Sequence, residues 1–433
     1  MEKLRMGVKS DSNDSPVASE TVWHDAPHSW TRTSLRRVSR LQYGDSLADA
    51  ERQEGDISVF GSNGPVGYHN QANMIAPAIV VGRKGSFGKV TFAPFGGFAI
   101  DTTYFIDKRS SRQNLRWLYY SLTTLGLDQI SQDTGVPGLS REKAYEARLA
   151  VPPLATQRAI ANYLDEKTAD LDALIEKKRK VLDLLAEERA ALINQVVTKG
   201  LNPSVPMKDS GIPWIGEIPA HWAACPLYAR YTVQLGKMLD ASTQTGQTTA
   251  PYLRNADIQW GNINVENLPT MDFSSSDRRK FNLLKGDILT CEGGANASVV
   301  GKSAMWNDDL DECYYQKALH RIRSRNEHQE PRFLFYALWA AFSSGVFTLD
   351  ASANIFHLTA EKLRVMRFPF PNRPEQEAIA SFLDERLSDF TKAKDRIEDQ
   401  LSRLQEYRQA LITAAVTGQI DSLSVSASEV TGT

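Results

Sequence analysis

The sequence predicts an α+β protein in which two globular regions of mixed helix and strand are separated by two long helices. The helices pack as an antiparallel coiled coil, giving internal pseudo-two-fold symmetry. Three observations predict this. One helical segment occurs twice, 219 residues apart and without a gap: Gln157 to Thr198 matches Gln376 to Thr417 at 17 of 42 positions. Apolar residues recur at heptad spacing in both copies. Punctuation rich in Pro and Gly separates the copies. A repeat of this period and length is architectural, so function is to be sought where the two halves differ.

In chain order, residues 1–22 are rich in Ser, Asp and Asn and are expected to be disordered. Residues 23–152 form the first globular region. Short β-rich runs such as Pro77-Ala-Ile-Val-Val and Lys89-Val-Thr-Phe alternate there with Gly and Asn turns, ahead of an amphipathic helix at Leu115-Arg-Trp-Leu-Tyr-Tyr-Ser-Leu. Residues 153–199 form the first spacer helix. Its seam reads Leu164, Leu171, Lys178, Leu185 and Leu192, with a companion seam of Thr168, Ile175, Leu182, Arg189 and Val196. Residues 200–222, which include Gly211-Ile-Pro-Trp-Ile-Gly-Glu-Ile-Pro-Ala-His-Trp222, are a linker that no helix or central strand absorbs.

Residues 223–371 form the second globular region, with a strand at Gly286-Asp-Ile-Leu-Thr and an amphipathic helix at Pro331-Arg-Phe-Leu-Phe-Tyr-Ala-Leu. Trp30, Leu35, Gln42 and Gly44 align with Trp222, Leu227, Gln234 and Gly236 at constant offset. Residues 372–420 form the second spacer helix, with seams of Leu383, Phe390, Ile397, Leu404 and Leu411, and of Leu387, Lys394, Leu401, Arg408 and Ala415. Equivalent stripes that cannot be left in water pack economically on each other. Separate packing of each helix on its own domain explains the stripe but not its uninterrupted register. Arg189 and Arg408, beside Glu187 and Glu406, suggest cross-helix ion pairs that fix the register, or solvated pairs of minor energy. The tail, 421–433, is expected to be disordered.

Composition bounds the function. A net charge of -2 argues against a chain that holds nucleic acid unaided through a broad cationic surface. Charge is positive in residues 1–150 and negative beyond 370, so the helices are not the nucleic-acid face. Three cysteines without metal spacing fit a reducing compartment. No apolar run reaches membrane-spanning length, and a cytoplasmic protein without a membrane partner is expected. The run Gly82-Arg-Lys-Gly-Ser-Phe-Gly-Lys-Val90 fails as a phosphate loop, having Arg83 and Val90 where Gly and Ser or Thr are needed. Glu176-Lys-Lys178 lies in the heptad helix with no acidic partner placed to hold a metal. The glycine pairs are no dinucleotide fingerprint, and no Asn-Pro-Pro-Tyr or Asp-Pro-Pro-Tyr run is present to grip a flipped base. No catalytic or metal-ligating set emerges.

What remains are turn segments whose side chains suit bases and phosphates. In the first half these are Phe60 to Asn70 and Val81 to Lys89, offering Ser62, Asn63, Tyr68, Arg83, Lys84 and Lys89. In the second half they are Tyr252 to Trp260, Cys291 to Lys302 and Tyr315 to Lys317, offering Arg254, Asn255, Gln259, Asn296, Lys302, Gln316 and Lys317. Their glycines let backbone approach a ligand closely. On composition alone, ordinary solvated turns are the competing reading.

These segments carry a family resemblance. Phe60-Gly-Ser-Asn-Gly, Val81-Gly-Arg-Lys-Gly-Ser and Ile100-Asp-Thr-Thr-Tyr resemble one version of the target recognition domain found in specificity subunits of type I restriction-modification systems. Lys285-Gly-Asp-Ile-Leu with Glu292-Gly-Gly, and Ser210-Gly-Ile-Pro-Trp-Ile-Gly-Glu-Ile-Pro, resemble another. Pro152-Pro153 with Gln157 through Asp165, and Pro369 through Asp384, resemble the openings of that family's two helical regions. The first domain departs from the pattern in lacking a full Trp-Ile-Gly-Glu-Ile-Pro lead-in.

The resemblance implies a non-catalytic subunit. Each recognition domain then reads one part of a bipartite target in double-stranded DNA, and the helices set the spacing. It implies two methyltransferase subunits as partners, with restriction/translocase subunits beyond them. S-adenosylmethionine, ATP and magnesium are then used by those partners, and no cofactor or metal is bound by this chain. A structural coiled-coil protein with two small ligand-binding domains is the competing class.

Overall fold

The computed structural model describes residues 26–130, 138–239, 246–294, 298–348 and 357–420. The tails expected to be disordered lie outside these residues. The chain divides into two compact units: unit 1 is Met1–Lys178 with Glu398–Thr433, and unit 2 is Arg179–Ile397.

Besides the antiparallel pair Thr31–Ser34 with Arg148–Val151, unit 1 contains two small sheets built from seven strands: β1 (Gln42–Tyr43), β2 (Ile57–Gly61), β3 (Gly64–His69), β4 (Ala78–Gly82), β5 (Val90–Ala93), β6 (Phe98–Ala99) and β7 (Thr103–Asp107). One sheet has the order β1-β7-β4-β5 and is antiparallel throughout; the other has the order β3-β2-β6, with β2 and β6 parallel. Helix α1 (Leu115–Leu122) follows, and then α2 (Leu154–Lys199) leads away from the unit's globular part. The continuous apolar run Ala78-Ile-Val-Val is explained by burial of β4 on both faces. Ile79 and Val81 join Trp117 and Leu118 of α1 and Ile160, Ala161 and Leu164 of α2, while Ala78 and Val80 join Phe60 and Ala99 of the smaller sheet and Met74 beside it.

Unit 2 repeats these two sheets, with β8 (Tyr231–Leu235), β9 (Thr249–Leu253), β10 (Thr270–Asp272), β11 (Ile288–Cys291), β12 (Ser303–Met305), β13 (Tyr314–Tyr315) and β14 (Leu319–Ser324), and adds a hairpin, Ile258–Gln259 with Asn262–Ile263. Its sheets have the orders β8-β14-β11-β12 and β10-β9-β13, again with the one parallel pairing between the central strand and its short neighbour. Helices α3 (Pro331–Ser343) and α4 (Arg373–Val416) complete it.

The helices start where local chemistry satisfies their first amide groups. Asn114 Oδ1 accepts from Trp117 N at 2.9 Å at the start of α1, and Glu330 accepts from Arg332 N at 3.2 Å at the start of α3, with Pro331 in the first turn.

Repeated residues account for how each long helix is fastened to its unit. Gln157 and Gln376 are both 1% exposed, and their amides do the same work: each accepts a backbone N–H at 2.9 Å, from Asn114 and Glu330, and each donates to a proline carbonyl at 2.8 Å. Asp165 accepts from Arg116 Nε at 2.5 Å and from Tyr120 OH at 2.7 Å; Asp384 accepts from Arg332 Nη1 at 2.6 Å and from Tyr336 OH. These two repeated identities, the glutamine and the aspartate, are therefore docking contacts, each hydrogen bond worth roughly 1 kcal/mol net and costly to leave half-made.

The two long helices run antiparallel. In unit 1, Arg408 grips Asp172 at 2.8 and 3.1 Å and Lys178 donates to Gln400 at 2.7 Å, so the numbering rises on α2 as it falls on α4. Leu164, Ile175, Leu383 and Leu411 are buried, and Leu171, Leu182, Leu185, Leu192, Phe390, Ile397, Leu401 and Leu404 are half-buried.

Arg189 departs from the expected ion pair. The residue equivalent to Asp172 in the second copy is Thr391, so Arg189 meets no carboxylate there and instead lies 4.1 Å over the Trp339 ring. Burial pushes its pKa below the ordinary arginine value. The segment 200–222 also departs from expectation. Met207–Asp209 and Glu217–Pro219 pair as a hairpin, and Ile212, Ile215, Ile218 and Trp222 are buried in the core of unit 2. Its prolines sit at the hairpin's ends and turn, where no ladder amide is required.

Candidate nucleic-acid interface

Two parallel strands end at the same edge of a sheet, so whatever follows them is brought together. In unit 1 this places the β2–β3 turn beside the segment after β6, and Ile100 N donates to Phe60 O at 3.0 Å. The β4–β5 loop joins them, with Arg83 N donating to Thr102 O at 2.8 Å. Gly82 is required at this crossing, since a Cβ there would lie 2.9 Å from Ser62 O and 2.2 Å from Ser86 O. Lys89 Nζ reaches the turn, donating to Asn63 Oδ1 at 2.7 Å and Asn63 O at 2.9 Å. Ser62, Asn63, Arg83, Lys84 and Lys89 thus share one surface. Tyr68 is on β3, and its side chain is 65% exposed beside the exposed Val66.

Arg83 is held in place. Its Nη1 donates to Asp101 O at 3.2 Å, and its guanidinium lies 4.9 Å over Tyr43 and 5.9 Å over Tyr104. The guanidinium of Arg141 lies 4.8 Å over the same Tyr43 ring. Burial and the neighbouring Tyr43 push the Tyr104 hydroxyl up to about 12, so it stays a neutral donor, to Leu139 O at 3.1 Å. Sequence reasoning missed Tyr43 and Arg141. The signal available for Tyr43 was its position inside the aligned Gln42 to Gly44 stretch, where the second half has Leu235.

Unit 2 brings the equivalent segments together. Gln316 N donates to Leu253 O at 3.0 Å, which ties the segment after β13 to the segment after β9. Asn255 Nδ2 donates to Gly293 O at 2.5 Å and Lys302 Nζ to Gln259 Oε1 at 3.2 Å, tying the segment after β9 to the β11–β12 loop, while Glu292 N donates to Ala318 O at 2.9 Å and ties that loop to the segment after β13. Lys317 is exposed, and Asn255 Oδ1 is buried with no partner. Arg254 is less free than the sequence suggests. Its Nε and Nη2 donate to the buried Asp257 at 3.0 and 2.9 Å, leaving Nη1 for a ligand. Asn296 lies outside the described residues. Among the described residues no helix is long and apolar enough to cross a membrane, and no group of His, Cys, Asp and Glu is placed to hold a metal.

The model of the type I restriction modification DNA specificity domain matches this chain twice, over residues 27–184 and 231–403. The chain belongs to this family of specificity subunits. The two matched stretches contain the two sets of converging loops and most of both long helices. The MjaVIII specificity subunit of Methanocaldococcus jannaschii is 23% identical over 75% of this chain and 74% of its own length. The StySPI specificity subunit of Salmonella potsdam is 26% identical over 47% of this chain and 44% of its own length. A solved chain from work on complex assembly and conformational transition of a type I restriction-modification system shares the fold. Its TM-score is 0.63 at 16% identity, over 91% of this chain and 99% of that one.

Proposed function

We propose that each unit of this specificity subunit reads one half of a bipartite target in double-stranded DNA through its three converging loops. The observation that carries this reading is topological equivalence with chemical difference. The segments after β2, β4 and β6 and those after β9, β11 and β13 occupy the same places in one plan, yet present Ser62, Asn63 and Arg83 in one unit and Arg254, Asn255 and Lys302 in the other. Two copies of one scaffold with unlike hydrogen-bonding side chains suit two unlike base sequences.

The long helices then dock two methyltransferase subunits. Leu174, Val181 and Leu184 support this, being 41–54% exposed on α2 and outside its seam. So does a groove of about 470 Å³ in unit 2, lined by Ala191, Leu192, Phe390 and Ala393 among others. In this reading the chain is non-catalytic and cytoplasmic. S-adenosylmethionine is held by the methyltransferase subunits, and ATP and magnesium by restriction/translocase subunits. Methylation-sensitive sequencing of DNA from a host given this chain and its methyltransferase tests it. A methylated bipartite motif that disappears without this chain is expected; methyl transfer by the purified chain alone refutes the non-catalytic role.

A further inference from the structure

Unit 1 carries an open cleft of about 780 Å³ that the recognition loops do not form. Arg36, Arg37, Arg40, Lys108, Arg112 and Arg141 line it, together with Arg109, and no carboxylate does. Arg109 is committed to Asp107, which is itself wholly buried. Arg36, Arg37, Arg40, Lys108 and Arg112 are exposed, and none has an ion-pair partner among the described residues. Five uncompensated cations around one hollow repel one another and are retained against that cost. One polar atom in the wall is equally unspent: Ser39 Oγ, on a residue only 5% exposed, is buried without a hydrogen-bond partner, whereas Arg141 Nε lies 3.7 Å from the Glu142 carboxylate. A hydroxyl left bare beneath a ring of guanidinium and ammonium groups adds to a donor set for oxyanions.

Unit 2 does not repeat this set of six cations. The offsets that align the two halves place Tyr228, Ala229 and Thr232 at Arg36, Arg37 and Arg40, Ser324 and His328 at Lys108 and Arg112, and Ala360 at Arg141. None of these six positions carries Lys or Arg in unit 2, while Arg109 is matched by Arg325 and the surrounding strands and helices are kept. A structural requirement of the scaffold would have preserved the charges in both units, so the set serves a ligand met by unit 1.

Building on the proposed function, we infer that this cleft grips the phosphate backbone of duplex DNA beside the half-target read by unit 1, so that the two half-targets are held unequally. Continuity decides for DNA over an acidic protein surface. Arg141, in the cleft wall, and Arg83, in the recognition loop, lie over the same Tyr43 ring at 4.8 and 4.9 Å, so one cationic track runs from loop to cleft. The cleft is far roomier than a single phosphate needs, and suits a run of them.

The test uses the complex of full-length chain with its methyltransferase subunits, and the probe is a scrambled duplex, because a backbone grip is independent of sequence. The triple variant Arg36→Ser, Arg37→Ser, Arg112→Ser is compared with the parent across a salt series. Loss of three phosphate contacts makes the slope of log K against log salt shallower by about 2.7, so a fourfold rise in salt costs the parent about 40-fold more affinity than the variant. The triple lysine variant keeps the parent's slope, which separates lost charge from lost fold. An unchanged slope in the serine variant overturns the inference, as does a variant that sheds methyltransferase subunits in sedimentation while its slope stays that of the parent. The underlying reading fails separately, if the parent complex does not distinguish the duplex it methylates from the scrambled one.

Discussion

A fragment of residues 1–205 lacks the part of α4 that completes the core of unit 1. In the full chain Leu411, Ile412 and Val416 are at most 8% exposed against α2 and the sheet, beside the fully buried Ala415. Losing a buried Leu, Ile or Val typically costs roughly 2–5 kcal/mol, so the fragment forfeits about 6–15 kcal/mol. That is the whole stability of an ordinary domain. A single copy is therefore expected not to stand alone. A second copy supplies the remedy, because its α2 carries Leu192, Ile193, Val196 and Val197 at the repeat positions of those four residues. Only the alanine position grows, and overpacking there costs about 1–3 kcal/mol, much less than the hole. Arg189 of each copy would also stand where Arg408 meets Asp172.

The fragment should sediment as a two-fold dimer and, with methyltransferase, direct methylation to a palindrome of the first unit's half-site. Arg189→Ala should weaken the fragment dimer. A folded monomer by sedimentation and circular dichroism, or modification that still needs the second half-site, refutes the equivalence of the two helices.

Three further outcomes are expected. Arg83→Ala should cost about 1–3 kcal/mol for one half-target if that residue makes a bidentate base contact, while Arg254→Ala should also lower the melting temperature by leaving the buried Asp257 with the residue 254 amide but no cation; half-site binding and thermal melts separate the two effects. Gly418, at φ +77° just past α4, leaves only 2.5 Å between an added Cβ and Pro27 Cδ, so Gly418→Val should destabilise unit 1 by roughly 1–3 kcal/mol in denaturant titration. His320 is fully buried, and desolvation depresses its pKa below the ordinary value, so the unfolded chain binds the proton first. Stability should be level above about pH 6.5 and fall as pH drops below it, and a His320→Asn variant should lose that part of the slope in melts between pH 7.5 and 5.5.

The sequence by itself determined the repeat, the heptad seams, the two globular regions and the loops worth testing. These follow from local periodicity and from Gly and Asn at turns, which one chain displays without knowledge of its folding. Tertiary structure decided how those residues are spent. The repeated Gln157 and Gln376, and Asp165 and Asp384, showed only as identities until Asn114, Glu330, Arg116 and Arg332 were seen to complete them. Arg189 and Arg408 are alike in sequence and unlike in environment, because a seam position's partner is set by the facing helix and the neighbouring domain. Segment 200–222 read as linker because its prolines and glycines hid the burial of Ile212, Ile215 and Ile218. The cleft was invisible because Arg36, Lys108 and Arg141 are dispersed along the chain and meet only where the strands and helices of unit 1 bring them to one hollow.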